Sequence, residues 1–452
     1  MSRSSSRRLW LLRSSSWCCW SGPRGCWGTN TVGAYNACGG GRLQGMLGRN
    51  PKEEVAMMML RTLALVGLAV SVLATAAVSQ PAERGVTATE ILLGTTMPMS
   101  GPAAFWGTGV SGGIEAWLRS INEQGGIHGR RLRLVVKDDA YLPPRAVANT
   151  RELVERDGVF ALVSSLGTAN VFAMRDYVLE SQTLWITPLA GADIWAGLRH
   201  KKYLFVTYPS YIEEGILLTS YAAEHLKTKT IAVFYQNDLY GQQGVLGVKR
   251  GVARVKGVKL VAQVSYEVTD VEVTAQALKL KESGADTLVL YATPRHGAMI
   301  VREIAKVGYR PTLVSTFTLL DPVMFTLGGD AWNDVYLTSY IAPPGTGDAR
   351  VDNVLAVITR INPALARNPF NAVAGVSFVE AFLEGLRRAG PTVTKDRVVA
   401  AMETIRNWDG EVIRGVTFGP DRRQGTNRFA IYKAEGGRYR RLTDWYAYPT
   451  RF

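Results

Sequence analysis

Residues 91–107 read Ile-Leu-Leu-Gly-Thr-Thr-Met-Pro-Met-Ser-Gly-Pro-Ala-Ala-Phe-Trp-Gly and join an apolar run to a loop of proline, glycine and aromatic residues. An amphipathic segment follows, then Gly-Gly-Ile-His-Gly129 and a second apolar run, Leu-Arg-Leu-Val-Val-Lys-Asp-Asp139. This order is typical of a βαβ unit, and open α/β sheets place ligands at the carboxyl ends of parallel strands. The loop offers backbone amides and a flat aromatic face but no nucleophile, metal ligand or acid/base pair, which favours binding over catalysis.

The same alternation of strand and helix continues along the chain. Residues 88–206 and 208–338 form two similar halves, so we expect an α/β fold of two doubly wound parallel-sheet lobes. Residues 349–405 are predicted to be mainly helical, most clearly over 370–388. The predicted strands lie at 90–96, 131–137, 159–163, 183–186, 203–206, 230–235, 259–265, 287–291, 312–315, 335–338, 415–418, 428–432 and 445–448.

The amino end differs in composition from the rest of the chain. Residues 1–56 are rich in Ser, Arg, Trp, Gly and Cys without periodicity, and we interpret them as upstream sequence translated in error or as a long leader. Residues 57–79 contain a basic residue, an apolar stretch and small residues at Ala77 and Ser79, the pattern of a secretory signal peptide. We therefore expect a soluble protein exported to the periplasm.

Charge and cysteine usage agree with export. The formal charge of +14 is inflated by the amino end, since residues 80–452 hold 43 Lys/Arg against 36 Asp/Glu. No basic run there is interleaved with aromatic residues, so we expect no nucleic-acid partner. All four cysteines lie in the first 40 residues, so the rest of the chain has no thiol and needs no disulfide in an oxidising compartment. The cysteines are Cys18, Cys19, Cys26 and Cys38.

Several motifs suggest catalysis, and each has a plainer explanation. Gly107-Thr-Gly-Val-Ser-Gly112 satisfies G-x-G-x-x-G, as in an NAD-dependent oxidoreductase, but about nine residues separate it from its strand. Ser111 fits G-x-S-x-G, yet it lies inside the amphipathic segment and not on a strand-to-helix turn. Asp138 and Asp139 are adjacent on a strand and point to opposite faces. The histidines lack zinc-site spacing, so we expect no enzyme, no metal and no cofactor.

Aromatic residues at predicted strand ends are better candidates for a site. Any one of them can belong to the core, but several at one edge indicate a cleft that grips a ligand. The segment 163–170 follows the third strand and opens a helix, so its amides and the Ser165 and Thr168 hydroxyls are candidates to hold a carboxylate. The alternative is that Thr168 only caps the helix. The aromatic candidates are Trp106, Phe105, Tyr141, Tyr208, Tyr211, Tyr240 and Tyr291.

These residues give the mature chain a resemblance to a known family. It resembles the type I periplasmic binding proteins of the branched-chain amino-acid (leucine/isoleucine/valine-binding) family. The resemblance implies a two-lobed receptor that closes on a small ligand and delivers it to an ABC permease in the inner membrane. The matching segments, in the family's order and spacing, are Met-Ser-Gly-Pro102, Ile121-Asn-Glu-Gln-Gly-Gly-Ile127, Asp138-Asp139, Trp185-Ile-Thr-Pro188, Asn237-Asp-Leu-Tyr-Gly241 and Val416-Thr-Phe-Gly-Pro420.

The resemblance also implies positions for the ligand. They comprise a first-loop aromatic residue, a segment for the ligand carboxylate, the loop after a Thr-Pro pair, and two positions on the second lobe. In that order they fall on Trp106; on Ser165, Leu166 and Gly167, with Thr168 close by; on Leu189, Ala190 and Gly191; and on Tyr240 and Thr293.

One position departs from the family pattern. The family's carboxylate for the ligand ammonium group falls near Phe317, in a Ser-Thr-Phe-Thr stretch without an acid. Glu213 and Asp321 are the nearest acids, and neither is at a matching place. An unpaired buried ammonium costs several kcal/mol, which disfavours a typical aliphatic amino acid. Arg295 is a candidate to face an anionic ligand instead.

We therefore expect an exported substrate-binding protein of an ABC importer, whose ligand is an amino acid, an aromatic or other small organic acid, or an amide. Lobe 1 is predicted to comprise 88–207 and 339–420, and lobe 2 to comprise 208–338 and 428–452. Hinge crossings are expected near 206–210, 338–342 and 418–428, with Trp106 and Tyr240 on opposite walls. The alternatives are a binding protein that presents its ligand to a signalling partner and, more distantly, the oxidoreductase.

Overall fold

The structure is a computed structural model that describes residues 52, 55–63, 83–195, 197–198, 200–450 and 452. The chain divides into two compact units, residues 1–78 and 79–452. In the first unit, residues 55–63 are helical and exposed. Apart from these and Lys52, the predicted leader and signal peptide lie outside the described residues. Within the described part of the chain, no helix is long and apolar enough to cross a membrane.

The second unit begins with a five-stranded parallel sheet. Its order is β2-β1-β3-β4-β5, so the chain leaves β1 in one direction and returns on its other side at β3. The carboxyl ends of β1 and β3 therefore flank the topological switch point at which doubly wound sheets bind ligands. The strands are β1 (Glu90–Met97), β2 (Arg131–Asp138), β3 (Ala161–Val163), β4 (Leu184–Ile186) and β5 (Leu204–Phe205).

The first helix of this half begins closer to β1 than the sequence suggested. α1 begins earlier than the sequence predicted, so Trp106 lies in its first turn and not in the preceding loop. Further along α1, Ile114, Leu118 and Ile121 are buried at the spacing of an amphipathic helix. The helices are α1 (Ala104–Glu123), α2 (Pro143–Arg151), which continues as a π-helical turn (Glu152–Asp157), and α3 (Thr168–Glu180).

A second sheet repeats the pattern and then extends it. Its parallel part has the order β7-β6-β8-β9-β10, the same winding as the first sheet. The sheet differs from expectation at its edge, where three strands from the end of the chain pair antiparallel. Gly436 and Gly437 both have positive φ and form the tight turn between two of them. The strands are β6 (Thr230–Gln236), β7 (Lys259–Tyr266), β8 (Thr287–Tyr291), β9 (Thr312–Ser315), β10 (Tyr336–Ser339), β11 (Arg428–Glu435), β12 (Arg438–Arg441) and β13 (Tyr446–Ala447).

The remaining helices divide between the two sheets. The last three follow β10, and two of them, α9 and α10, pack against α1 on the first sheet. The strand predicted at 415–418 does not form; there Val416 pairs with Trp408 in a single bridge. The helices are α4 (Tyr211–His225), α5 (Leu239–Arg254), α6 (Thr274–Glu282), α7 (Pro294–Lys306), α8 (Val323–Gly328), α9 (Ala349–Ile361), α10 (Pro369–Ala389) and α11 (Lys395–Met402).

Within residues 200–450 the chain passes between the sheets three times. Residues 206–210 lead from β5 to α4, residues 340–348 lead from β10 to α9, and residues 419–427 lead back to β11. The first and third passages run side by side. Val206 N donates to Arg423 O at 2.9 Å, and Gly425 N donates to Val206 O at 2.7 Å.

Glycines allow α1 and α10 to approach closely. A Cβ on Gly113 would lie 2.0 Å from Ala372 O, and a Cβ on Gly375 would lie 2.3 Å from Val110 O. Both obstacles are backbone atoms, which cannot move aside as a side chain can. Neighbouring Gly112 is different, because its Cβ would meet side-chain atoms and no backbone atom: Leu365 Cδ2 at 2.8 Å and Asn362 Nδ2 at 3.8 Å.

We expect Gly113→Ala to lower the free energy of unfolding by about 2 kcal/mol, because overpacking outweighs the gain in helix propensity. Gly112→Ala is the matched control and is expected to be nearly neutral, since the end of the Leu365 side chain can shift. Urea unfolding of both variants measures the difference. Equal stabilities would contradict the close contact between the two helices.

Candidate functional site

A cavity lies between the carboxyl ends of the two sheets. It holds about 530 Å³ of space free of protein atoms, counted out to its solvent-open mouth. A concave, mostly apolar space of this kind is typical of a small-molecule site. The first sheet and its helices contribute Trp106, Val110, Tyr141, Leu166, Gly167, Thr168 and Leu189. The second sheet's side contributes Tyr240, Phe317 and Thr318. The first and second crossings, the start of α4 and α10 contribute Tyr208, Tyr211, Tyr340, Phe370, Asn371, Ala374 and Phe378.

Hydrogen bonds join the opposite walls of this cavity. Trp106 is only 8% exposed, and its Nε1 donates to the carbonyl oxygen of Thr318 at 3.2 Å. At the end of β6, Gln236 Nε2 donates to Tyr141 Oη at 3.4 Å. These bonds connect residues of the first sheet's loops with residues of the second, so the structure has the cleft closed.

The amino end of α3 forms one part of the wall. Gly167, with a φ of 107°, precedes the helix, and Leu166, Gly167 and Thr168 line the cavity. Thr168 does not cap the helix; its Oγ1 instead donates to Tyr211 Oη at 3.5 Å, and Tyr211 Oη donates to Tyr208 Oη at 3.4 Å. Backbone amides and the positive end of the helix dipole favour an anionic group at this place.

A hydroxyl cluster forms the facing part of the wall. Tyr240 is 2% exposed, and its Oη lies 2.8 Å from Thr318 Oγ1 and 3.3 Å from Thr316 Oγ1. Tyr240 occupies the first turn of α5, which Asp238 caps by accepting from Gly241 N. Burial raises the pKa of the Tyr240 phenol well above its usual value. The phenol is therefore a neutral hydrogen-bonding group at the cavity.

No residue that lines the described cavity is an Asp, Glu, Lys, Arg or His. A carboxyl group nevertheless lies directly behind the wall, at Glu214. Its Oε1 accepts from Phe317 N at 3.0 Å and from Thr338 Oγ1, while its Oε2 has no hydrogen-bond partner among the described residues. Burial raises the pKa of Glu214 to about 8, and the two donors only partly oppose this.

The two acids that the sequence offered as alternatives do not line the cavity. Glu213 is half-buried on α4. Asp321 is buried and accepts from Val323 N at 2.9 Å and from Phe370 N at 3.1 Å, which ties the start of α10 to the loop after β9. Burial raises the pKa of Asp321 to about 6.

Comparison with known proteins identifies the family to which this chain belongs. The family model described as periplasmic binding protein matches residues 90–438. The chain belongs to the periplasmic binding protein family. It is 24% identical over 350 residues to the Leu/Ile/Val-binding protein homolog 3 of Brucella melitensis, covering 77% of this chain and 92% of that protein. It is 23% identical to the Leu/Ile/Val-binding protein BraC3 of Rhizobium johnstonii, over 77% of this chain and 93% of that protein.

Solved structures show the same fold. A fatty acid ABC transporter substrate-binding protein from Thermomonospora curvata superposes with a TM-score of 0.72 at 20% identity, covering 81% of this chain and 94% of that one. A branched-chain amino acid ABC transporter protein from Thermus thermophilus, solved with bound valine, gives 0.70 at 18% identity, over 80% and 97%. The predicted family and two-lobed fold are thus confirmed. Through its family the protein is a binding protein, as the sequence predicted.

The structure brings most of the predicted ligand positions of this family member to one cavity. Ser165 does not line it, although Ser165 is buried next to the lining residues and its Oγ has no partner among the described residues. Its carbonyl oxygen accepts from Leu189 N at 2.8 Å. The predicted positions that line the cavity are Trp106, Leu166, Gly167, Thr168, Leu189, Tyr208, Tyr240 and Phe317.

Four other predicted positions lie elsewhere. Ala190 and Gly191 line a separate small cavity beside the first crossing, where a Cβ on Gly191 would meet Pro209 O at 2.3 Å. Thr293 is the N-cap of α7, and its Oγ1 lies 2.8 Å from His296 Nδ1. Arg295 lies in the first turn of α7 and its side chain is exposed, so it does not line the cavity.

The sequence did not single out the wall formed by the second crossing and α10. Phe370, Ala374 and Phe378 recur every four residues on that helix, as one stripe of an amphipathic helix does. Tyr340 packs edge-on against Phe317 with ring centroids 5.0 Å apart. The sequence also contains a sign that Glu214 is buried. It is an acid on the face of α4 that Tyr211 and Leu218 occupy, and that face is buried.

Proposed function

We propose that the protein is exported to the periplasm and delivers a small ligand to an ABC permease in the inner membrane. The observation that carries this proposal is the cavity walled by both sheets, across which Trp106 bonds to Thr318. Three passages between the sheets supply a hinge of the kind that opens and closes such clefts. A ligand then favours the closed form through its greater affinity for that form.

We take residues 88–207 and 339–420 as one lobe, and 208–338 and 428–452 as the other. The packing of α9 and α10 against α1 supports the first grouping. The pairing of β11 with β10 supports the second. Opening is then a rotation of one group against the other about the three crossings, and it separates Trp106 from Thr318.

The chemistry of the cavity favours an aromatic or other small organic acid over an aliphatic amino acid or an amide. Its aromatic walls bury a flat apolar body, and the amino end of α3 suits a carboxylate. Glu214 is mostly uncharged at neutral pH, because its pKa is about 8. It therefore supplies little counter-charge for an ammonium group.

Titration of the purified protein with benzoate, benzamide and leucine, followed by tryptophan fluorescence, tests the ligand class. We expect saturable binding of benzoate, weaker binding of benzamide because it lacks the anionic group, and no binding of leucine over the same range. Tighter binding of leucine than of benzoate would contradict the ligand class. Uptake of labelled benzoate that is equal with and without the gene would contradict the importer role.

Trp106→Ala is expected to weaken benzoate binding at least about tenfold, which is about 1.4 kcal/mol, because the ring lines the cavity and bonds across it. Trp117→Ala is the matched control, since Trp117 is half-buried on the same helix and does not line the cavity. Calorimetric titration compares the affinities without relying on tryptophan emission. An unchanged affinity in Trp106→Ala would place the ligand elsewhere.

A further inference from the structure

A further cavity lies beside the second crossing. It is bounded by the second crossing and the start of α9 (residues 340–350), by the loop at 412–414 and by the antiparallel edge of the second sheet. It holds about 980 Å³ of space free of protein atoms, counted out to its open mouth. Tyr340 lines both this cavity and the aromatic one. An occupant here therefore touches segments of both proposed lobes and the crossing that joins them.

The walls of this hinge cavity are strongly cationic. Four arginines line it, and the one acid on its lining is Asp348. That acid is already engaged, since its Oδ1 accepts from Arg350 N at 3.1 Å and its Oδ2 lies 3.2 Å from Arg414 Nη2. The arginines are Arg350, Arg414, Arg428 and Arg441.

Arg428 has an unmet hydrogen-bonding group. Its Nη2 is buried and has no partner among the described residues. Burial lowers the pKa of the Arg428 guanidinium, and the charge of Arg414 adds to that effect while Asp409 opposes it. Arg428 and Arg441 both lie near the Trp445 ring, at 5.7 and 5.6 Å from its centroid. Asp444 pairs with Arg441 from the solvent side, at 2.9 Å, and does not line the cavity.

We propose that the hinge cavity binds a small oxyanion, with Arg428 as its principal ligand. Four guanidinium groups line the cavity beside one acid that is already engaged, and an oxyanion balances this excess positive charge through charge-assisted, often bidentate hydrogen bonds. The anion also relieves the repulsion between Arg428 and Arg414. Phosphate and carboxylate groups share this chemistry, and binding stabilises the closed arrangement because the lining joins both lobes.

Calorimetric titration of the full-length protein with inorganic phosphate and with succinate, in Tris chloride at constant ionic strength, tests the proposal. We expect saturable binding of at least one of them, and its identity separates a phosphate from a carboxylate ligand. The emission of Trp445 is expected to change on binding, and Trp445→Phe to remove that change. Absence of saturable binding of either anion up to about 10 mM would overturn the proposal.

Arg428→Gln is expected to weaken the binding of the preferred anion at least tenfold. Arg119→Gln removes an exposed arginine on α1 and is the charge-matched control, with affinity unchanged. If Arg428→Gln does not fold, Arg441→Gln provides the test, with a smaller loss expected because Arg441 is more exposed. Wild-type affinity in a folded Arg428→Gln protein, or an equal loss in Arg119→Gln, would overturn the site.

Discussion

Replacing Glu214 by glutamine is expected to make the protein progressively more stable than the wild type as the pH rises from about 4.5 to 8. Burial raises the pKa of this carboxyl to about 8 from 4.5. Between these values the unfolded chain has lost the proton that the folded protein keeps, so wild-type stability falls with rising pH. Over the whole window this amounts to a difference on the order of 4 kcal/mol, since each pKa unit corresponds to about 1.4 kcal/mol.

Glutamine suits this site because it resembles the protonated acid. Its oxygen can still accept from Phe317 N and Thr338 Oγ1, and its amide nitrogen takes the place of the unpartnered Oε2. Thermal unfolding at half-unit pH intervals measures the effect. Glu303→Gln is the control: Lys306 lowers the pKa of Glu303, so its contribution is lost only towards acid pH. Parallel curves for wild type and Glu214→Gln between pH 5 and 8 would contradict the assignment.

The strands could be predicted because both faces of most of them are buried, so their composition alone marks them. β8 and β9 have the predicted bounds 287–291 and 312–315, and β1 and β2 differ by one residue each. The strand predicted at 415–418 does not form, although its large apolar residues are buried. Val416 and Phe418 are fully buried, but Phe418 packs on Phe205 with ring centroids 5.0 Å apart and the segment lacks a sheet neighbour. Apolar composition reports burial, and pairing depends on distant parts of the chain.

The candidate site also contains residues that local sequence reveals and residues that only distant contacts place there. Trp106, Thr168 and Tyr240 could be found because they follow β1, β3 and β6, and the carboxyl ends of parallel strands share one edge. The stripe from Phe370 to Phe378 could not, because the sequence placed this helix in lobe 1 but no local pattern shows which of its faces lines the cleft. Glu214 lies behind the wall through contacts with Phe317 and Thr338, about a hundred residues away in sequence.

Another buried acid, Glu380, holds the loop that follows α11. Glu380 on α10 is 4% exposed and accepts hydrogen bonds from three consecutive backbone amides. Its Oε1 accepts from Glu411 N at 2.9 Å and its Oε2 from Ile413 N at 2.9 Å, while Val412 N lies 3.1 Å from both oxygens. Burial raises the pKa of this carboxyl to about 7, and the amides partly oppose that shift.

Glu380→Ala is expected to lower the free energy of unfolding by about 4 kcal/mol, because each buried amide left without an acceptor costs about 1–3 kcal/mol. Glu380→Gln is expected to fall between alanine and wild type, since its NH₂ group cannot accept from the amides that one oxygen held. Glu384→Ala is the matched control one turn along α10; its partners Arg387 and Arg388 form surface ion pairs, so a loss below about 1 kcal/mol is expected. Urea unfolding at pH 5, where the folded protein keeps the Glu380 proton and ionisation of this carboxyl costs little stability, measures all three variants. Equal losses for Glu380→Ala and Glu384→Ala would show that the loop is held by other contacts.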